Sequence, residues 1–119
     1  VCVPISNLVE CINFTEEEIK KLGLKAPMVG HVGDGNFHAI IGYDPNKEGE
    51  YEKIKTLSNK LIDKTLELEG TITGEHGIGL HKKAYLLKEH GDNIPLMKSI
   101  KRSIDQNNIM NPGKIFDLN

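Results

Sequence analysis

Histidine and glycine gather at two places in this sequence, and both look suited to chemistry. Half of the twelve glycines and three of the five histidines fall within or beside residues 30–38 and 74–79. Glycine lets backbone approach a ligand, and histidine moves protons or binds metal near neutral pH. The first segment reads Gly30-His31-Val32-Gly33-Asp34-Gly35-Asn36-Phe37-His38, and the second reads Gly74-Glu75-His76-Gly77-Ile78-Gly79.

Asp34-Gly35 suits a two-residue type I′ turn between the apolar runs 27–32 and 37–43. That turn pairs Gly33 with Asn36 and sets His31 directly opposite His38 on one sheet face, with Cβ atoms about 4.5–5.5 Å apart. Two imidazoles at this spacing can converge on one divalent cation, with bonds of about 2.0–2.1 Å for zinc. Glu75 is the natural third ligand, because the β-branched stretch Thr71-Ile72-Thr73 before it reads as a strand able to pair beside the hairpin. A carboxylate with two imidazoles and open positions suits an ion that binds substrate, as Lewis acid or as carboxylate anchor. The two histidines read equally as hydrogen-bonded groups at a hairpin end, since a metal site needs further ligands and supporting contacts. Asp34 and Asn36 read as turn formers. Gly30, Gly33 and Gly35 fit either positive φ in the turn or close approach by a flat ligand.

The second segment lacks the spacing of a dinucleotide-binding loop and carries a carboxylate where phosphate would sit, so a phosphate role is rejected. On an extended segment, Glu75 and His76 point to opposite sides and do different jobs. Glu75 serves the metal, and His76 is either a base working near neutral pH or a satisfied structural histidine. His81, His90, Lys82 and Lys83 read as solvated.

These residues need elements to hold them. Residues 1–4 read as a short strand; a helix then opens near Pro4 and Ser6, with Leu8, Val9, Ile12, Ile19 and Leu22 on one face and Gly23 as its stop. Thr15-Glu16-Glu17-Glu18 resembles a capping box, which predicts a break over 13–16. From about Lys47 to Glu69, Tyr51, Ile54, Leu57, Leu61, Thr65 and Leu68 describe a long amphipathic helix, with Gly70 as its left-handed cap. A helix reaching about Glu89 ends at Gly91. Another begins at Pro95 with Leu96, Met97, Ile100 and Ile104 facing inward, before an irregular tail around Asn111-Pro112-Gly113-Lys114. This order argues for an α+β fold, an antiparallel sheet covered by helices, with a C-terminal helical segment.

The 119 residues suffice for one domain, and a net charge of −2 gives no basic footprint for nucleic acid or anionic membrane. Cys2 and Cys11 are too few for a disulfide framework and lack metal-site spacing, so both read as reduced, buried hydrophobes. No apolar run approaches the ~20 residues of a membrane span. A start at Val1 without a basic leader reads as a fragment, which leaves targeting and membrane association open.

The strings GHVGDGNFH at 30–38, GEHGIG at 74–79 and NPGKIF at 111–116, in that order, with VCVP at the start, closely resemble the C-terminal region of FAD-linked oxidases. The resemblance is to the D-lactate dehydrogenase and glycolate oxidase type, in the vanillyl-alcohol oxidase-like flavoprotein superfamily, and it covers essentially the whole chain. It implies a ferredoxin-like substrate cap over residues 1–69, and a segment over 70–119 that carries GEHGIG and returns to an FAD-binding domain elsewhere in a longer protein. It implies His31, His38 and Glu75 as ligands of a divalent metal (Zn, Mn or Fe), His76 as the base, and His76, Gly77 and Asn111 beside FAD. The implied reaction oxidises a small 2-hydroxy acid to a 2-oxo acid, in the bacterial cytoplasm or a mitochondrion. His81 departs from the glycine usual in relatives, and the arginine and lysine that grip the substrate carboxylate fall outside this chain. The residues alone leave two rivals: a metallohydrolase using the same His-His-Glu set, and a noncatalytic metal-stabilised interaction domain.

Overall fold

The structure, a computed structural model, describes residues 1–118, which group into two compact units, Val1–Gly74 and Glu75 onward. In the first unit a 3-10 turn, Ile5–Asn7, leads into helix α1, Leu8–Leu22. Leu8, Cys11, Thr15, Glu18 and Ile19 are its buried side, the three- and four-residue rhythm of an amphipathic helix. Gly23 ends it in the left-handed region, at φ 65°, with its N–H on the Ile19 and Lys20 carbonyls. The predicted break at 13–16 does not occur. Thr15 is fully buried and its hydroxyl donates back to the Cys11 carbonyl at 2.7 Å, so it works as an interior residue rather than a cap.

Strands β1, Met28–His31, and β2, Asn36–Ala39, pair antiparallel. Phe37 turns into the core with Val3, Leu8, Cys11 and Leu68, and Met28 packs beside it. Helix α2, Glu50–Glu67, buries Leu57, Ile62 and Thr65. Tyr51 stays exposed and lies against Tyr43, ring centroids 6.0 Å apart. Between α1 and α2 the Glu18 carboxylate is buried and held by Lys21 at 2.8 Å and Lys60 at 2.6 Å, which keeps its pKa below the usual carboxylate range. The left-handed residue after α2 is Glu69, at φ 59°, and not Gly70. Gly70 donates its N–H to the Thr65 carbonyl at 2.8 Å and needs to be glycine because a Cβ there would lie 2.4 Å from the Cys2 carbonyl oxygen.

Residues 1–4 and 71–73 form single bridges rather than strands: Cys2 pairs with Asn36 on one side and Thr71 on the other. The Cys2 and Thr71 N–H groups donate to each other's carbonyls at 3.0 and 2.7 Å. Thr71 therefore pairs with the Cys2 segment and not with the hairpin. The small antiparallel sheet with helices over its Phe37 face is the expected α+β architecture.

In the second unit α3 spans Lys83–His90, a 3-10 turn covers Gly91–Asn93, and α4 spans Ile94–Ile104 with Pro95 in its first turn. Gly91 is right-handed, at φ −49°, and continues into that turn instead of stopping the chain. No residue of α4 is buried, and Leu96, Ile100 and Ile104 are exposed, contrary to the inward face its periodicity predicts. Beyond α4, the buried Asp105 carboxylate pairs with Lys101 and accepts the Ile109 and Met110 N–H groups, both at 2.9 Å. Lys101 first and those amides after it hold the Asp105 pKa below its ordinary value.

Candidate functional site

The hairpin turn differs from a two-residue loop. Val32–Asp34 coil into a 3-10 turn and Gly35 follows in the left-handed region at φ 71°, where a Cβ would meet the Val3 carbonyl oxygen at 2.0 Å. The loop is thus closed by the Val3 segment, whose N–H donates to the Gly35 carbonyl at 2.9 Å. In the resulting register His31 faces Asn36 and His38 faces Val29, so the predicted His31–His38 pairing is displaced. The displacement amounts to two residues along the strand, which preserves the pleat: His31 and His38 remain on one face as diagonal neighbours. Their ring centroids are 6.4 Å apart and the rings are nearly perpendicular, at 87°.

Asn36 stands on that same face between them, across the ladder from His31 and two residues before His38, and it is only 6% exposed. Its Oδ1 occupies the place of a side chain at Gly74, where a Cβ would come within 2.7 Å. Gly74 is also left-handed, at φ 52°, so the backbone turns there instead of running extended. Glu75, bonded to Gly74, follows from this close approach. One ligand atom from each of His31, His38 and Glu75 lies within 4.8 Å of the others. Oxygen and nitrogen donors at this separation suit a single divalent ion, with room for open coordination positions.

The turn also changes the relation of Glu75 to its neighbour. The two side chains do not diverge as on an extended segment: His76 Nε2 lies 4.0 Å from Glu75 Oε1, and the ring is 60% exposed. Gly77 and Gly79 carry the segment on with φ of 74° and 56° and open space where their side chains would be. The Ile115 N–H holds this stretch to the tail through the Gly79 carbonyl, at 2.8 Å, and Lys83 binds Asp117 at 2.7 Å. Asn111, left-handed at φ 48°, lines a cleft of about 220 Å³ in that tail with Lys101, Lys114 and Phe116.

Two residues differ from their sequence reading. Asn36 is a buried side chain at the centre of the histidine face, beyond its reading as a turn former. Its alternation with His38 was the available signal. Lys82 is half-buried, and that burial pushes its ammonium pKa down, whereas Lys83 keeps an acidic partner. Nothing in two adjacent lysines distinguishes them.

Residues 1–115 match the family described as FAD linked oxidases, C-terminal domain. The chain belongs to this family. A probable mitochondrial D-lactate dehydrogenase of Danio rerio is 45% identical over 99% of this chain, which covers 24% of that protein. A mitochondrial D-lactate dehydrogenase [cytochrome] of Arabidopsis thaliana is 42% identical over 98% of the chain and 21% of its own length. The glycolate oxidase subunit GlcD of Bacillus subtilis (strain 168) is 39% identical over 94% of the chain and 23% of its own length. The chain therefore spans between a fifth and a quarter of these relatives. Among the described residues, no helix is long and apolar enough to cross a membrane.

Proposed function

We propose that this chain forms one wall of the active site of a flavin-dependent dehydrogenase for a small D-2-hydroxy acid of the lactate or glycolate class. The observation that carries this reading is the convergence of His31, His38 and Glu75 in a chain of the FAD-linked oxidase family. These three residues would hold a divalent cation, zinc, manganese or iron, through two nitrogens and a carboxylate oxygen. The ion would act as Lewis acid and anchor for the oxygens of the substrate. His76 takes the hydroxyl proton, and its exposure on a turn beside Glu75 supports that role. FAD, when bound, would supply the two-electron acceptor that turns the 2-hydroxy acid into a 2-oxo acid. His76, Gly77 and Asn111 are this chain's contacts to it, and the open space at Gly77 supports close approach.

The partner is an N-terminal FAD-binding domain of a longer protein, and the compartment is a mitochondrion or the bacterial cytoplasm. The short share of each relative's length and the exposed apolar side of α4 both support such a domain. The division into a cap over 1–69 and a returning segment over 70–119 belongs to the same proposal.

Anaerobic mixing of the flavin-loaded full-length protein with D-lactate, D-2-hydroxyglutarate and glycolate tests the reaction. Bleaching of the flavin by at least one acid is expected. No bleaching by any of them, or ester hydrolysis in its place, overturns the reading in favour of a hydrolase. Elemental analysis is expected to give one ion per chain, lost in His31→Ala and His38→Ala. His76→Asn is expected to slow flavin reduction by about 10²–10⁴-fold, the usual worth of a positioned base, with substrate affinity little changed.

A further inference from the structure

We propose that Asn36 is the positioning residue of the metal site, the wedge that sets the Glu75 carboxylate against the two imidazoles. The inference rests on the metal reading above.

Asn36 is fixed from both sides by backbone: it pairs with His31 across the hairpin and with Cys2 on the other edge of β2. A residue bridged on both flanks has little freedom to tilt. Strand alternation puts its side chain on the face of His31 and His38, between one ring across the ladder and the other two residues along. At 6% exposure it is the buried member of that face, while His31 is exposed and His38 half-buried. The rings thus stand at the solvent edge and Asn36 forms the floor beneath them.

The same side chain limits where Gly74 can go. Its Oδ1 fills the Cβ position of Gly74, so only glycine allows this approach. Gly74 is the last residue before Glu75, and its left-handed φ of 52° turns the chain at that point. The amide therefore sets both the distance and the direction from which Glu75 reaches the histidines. A shorter side chain lets Gly74 settle inward and moves the carboxylate off the common point. Loss of a group that orients a metal ligand typically weakens affinity about 10- to 100-fold.

Titration of the metal-free full chain with Co²⁺, followed by displacement with Zn²⁺, tests this. Asn36→Ala is expected to weaken Co²⁺ binding by about 10- to 100-fold and to change the visible ligand-field spectrum, with far-UV circular dichroism unchanged. Gly74→Ala disturbs the contact from the other side, because its methyl collides with the amide, and is expected to weaken binding similarly. The double variant is expected to bind no worse than Gly74→Ala alone, since removal of the amide relieves the collision and leaves only the cost of a side chain at φ 52°. Should Asn36→Ala fail to fold, Asn36→Ser, which shortens the side chain but keeps it polar, decides in its place. Wild-type affinity and spectrum in the folded variants overturn the role of Asn36, even where His31→Ala abolishes binding. A wild-type chain that takes up neither Co²⁺ nor Zn²⁺ overturns the metal reading and this inference together.

Discussion

The two units handle their apolar residues in opposite ways. The first closes Val3, Leu8, Cys11, Phe37 and Leu68 into one buried cluster and seals the seam between α1 and α2 with Leu57, Ile62 and Thr65. In the second, Leu86 and Asp105 are buried among the described residues, while α4 leaves Leu96, Ile100 and Ile104 in solvent. One unit carries its own hydrophobic stabilisation. The other is organised by polar contacts, chiefly the Asp105 carboxylate and its amide donors, and leaves an apolar helix side exposed.

The largest test of this contrast is Phe37→Ala, expected to cost about 3–5 kcal/mol in urea unfolding, as for a fully buried aromatic side chain. A loss below about 1 kcal/mol would mean that the first unit does not depend on this cluster. Leu86→Ala is expected to cost less, about 2 kcal/mol and near the bottom of the range for leucine, because it is the one buried apolar residue of its unit among the described residues. Equal losses for the two substitutions would erase the distinction. Acid should act on both units alike. The Glu18 and Asp105 carboxyls each have a folded pKa below the ordinary value, Glu18 through Lys21 and then Lys60, Asp105 through Lys101. Their contribution is present in full above the unfolded pKa of about 4, and is lost as pH falls through the lower folded values. Denaturation midpoints measured between pH 7 and pH 2 should therefore fall below about pH 4, and Glu18→Gln should flatten part of that fall. The smallest effect is expected for Ile104→Ser, within about ±0.5 kcal/mol, since this side chain is already in water. A larger loss in thermal melting would show that α4 is covered within the chain.

The same contrast shows what a sequence discloses. The stretches that hold α1 and α2 and the Gly23 stop were legible because they depend on neighbours a few residues apart, whereas the capping pattern at Thr15 placed a break inside α1 that burial of Thr15 removes. The histidine pair was legible for a different reason: its face depends on strand parity, which survives a two-residue change of register. The register itself was not legible. Gly35 and the 3-10 turn before it are held by Val3, more than thirty residues away, and no local preference of Asp34-Gly35 records that contact. Thr71 was misread likewise, since its partner is Cys2. The inward side of α4 was misassigned because periodicity gives a helix two sides without saying whether anything lies against one of them.

The bridging of Cys2 to both Asn36 and Thr71 has a consequence for how the chain is made. Contacts so remote in sequence form late, after the loops between them have closed. A ribosome adding about 5–20 residues per second exposes the Val1–Val3 segment on the order of ten seconds before Thr71 emerges. During that interval the Cys2 segment can pair with β2 on one side while its other edge stays open. Unit one thus completes itself by a stitch between segments made at widely separated times, and a pulse-proteolysis time course should find the Val1–Val3 segment the last part of the unit protected.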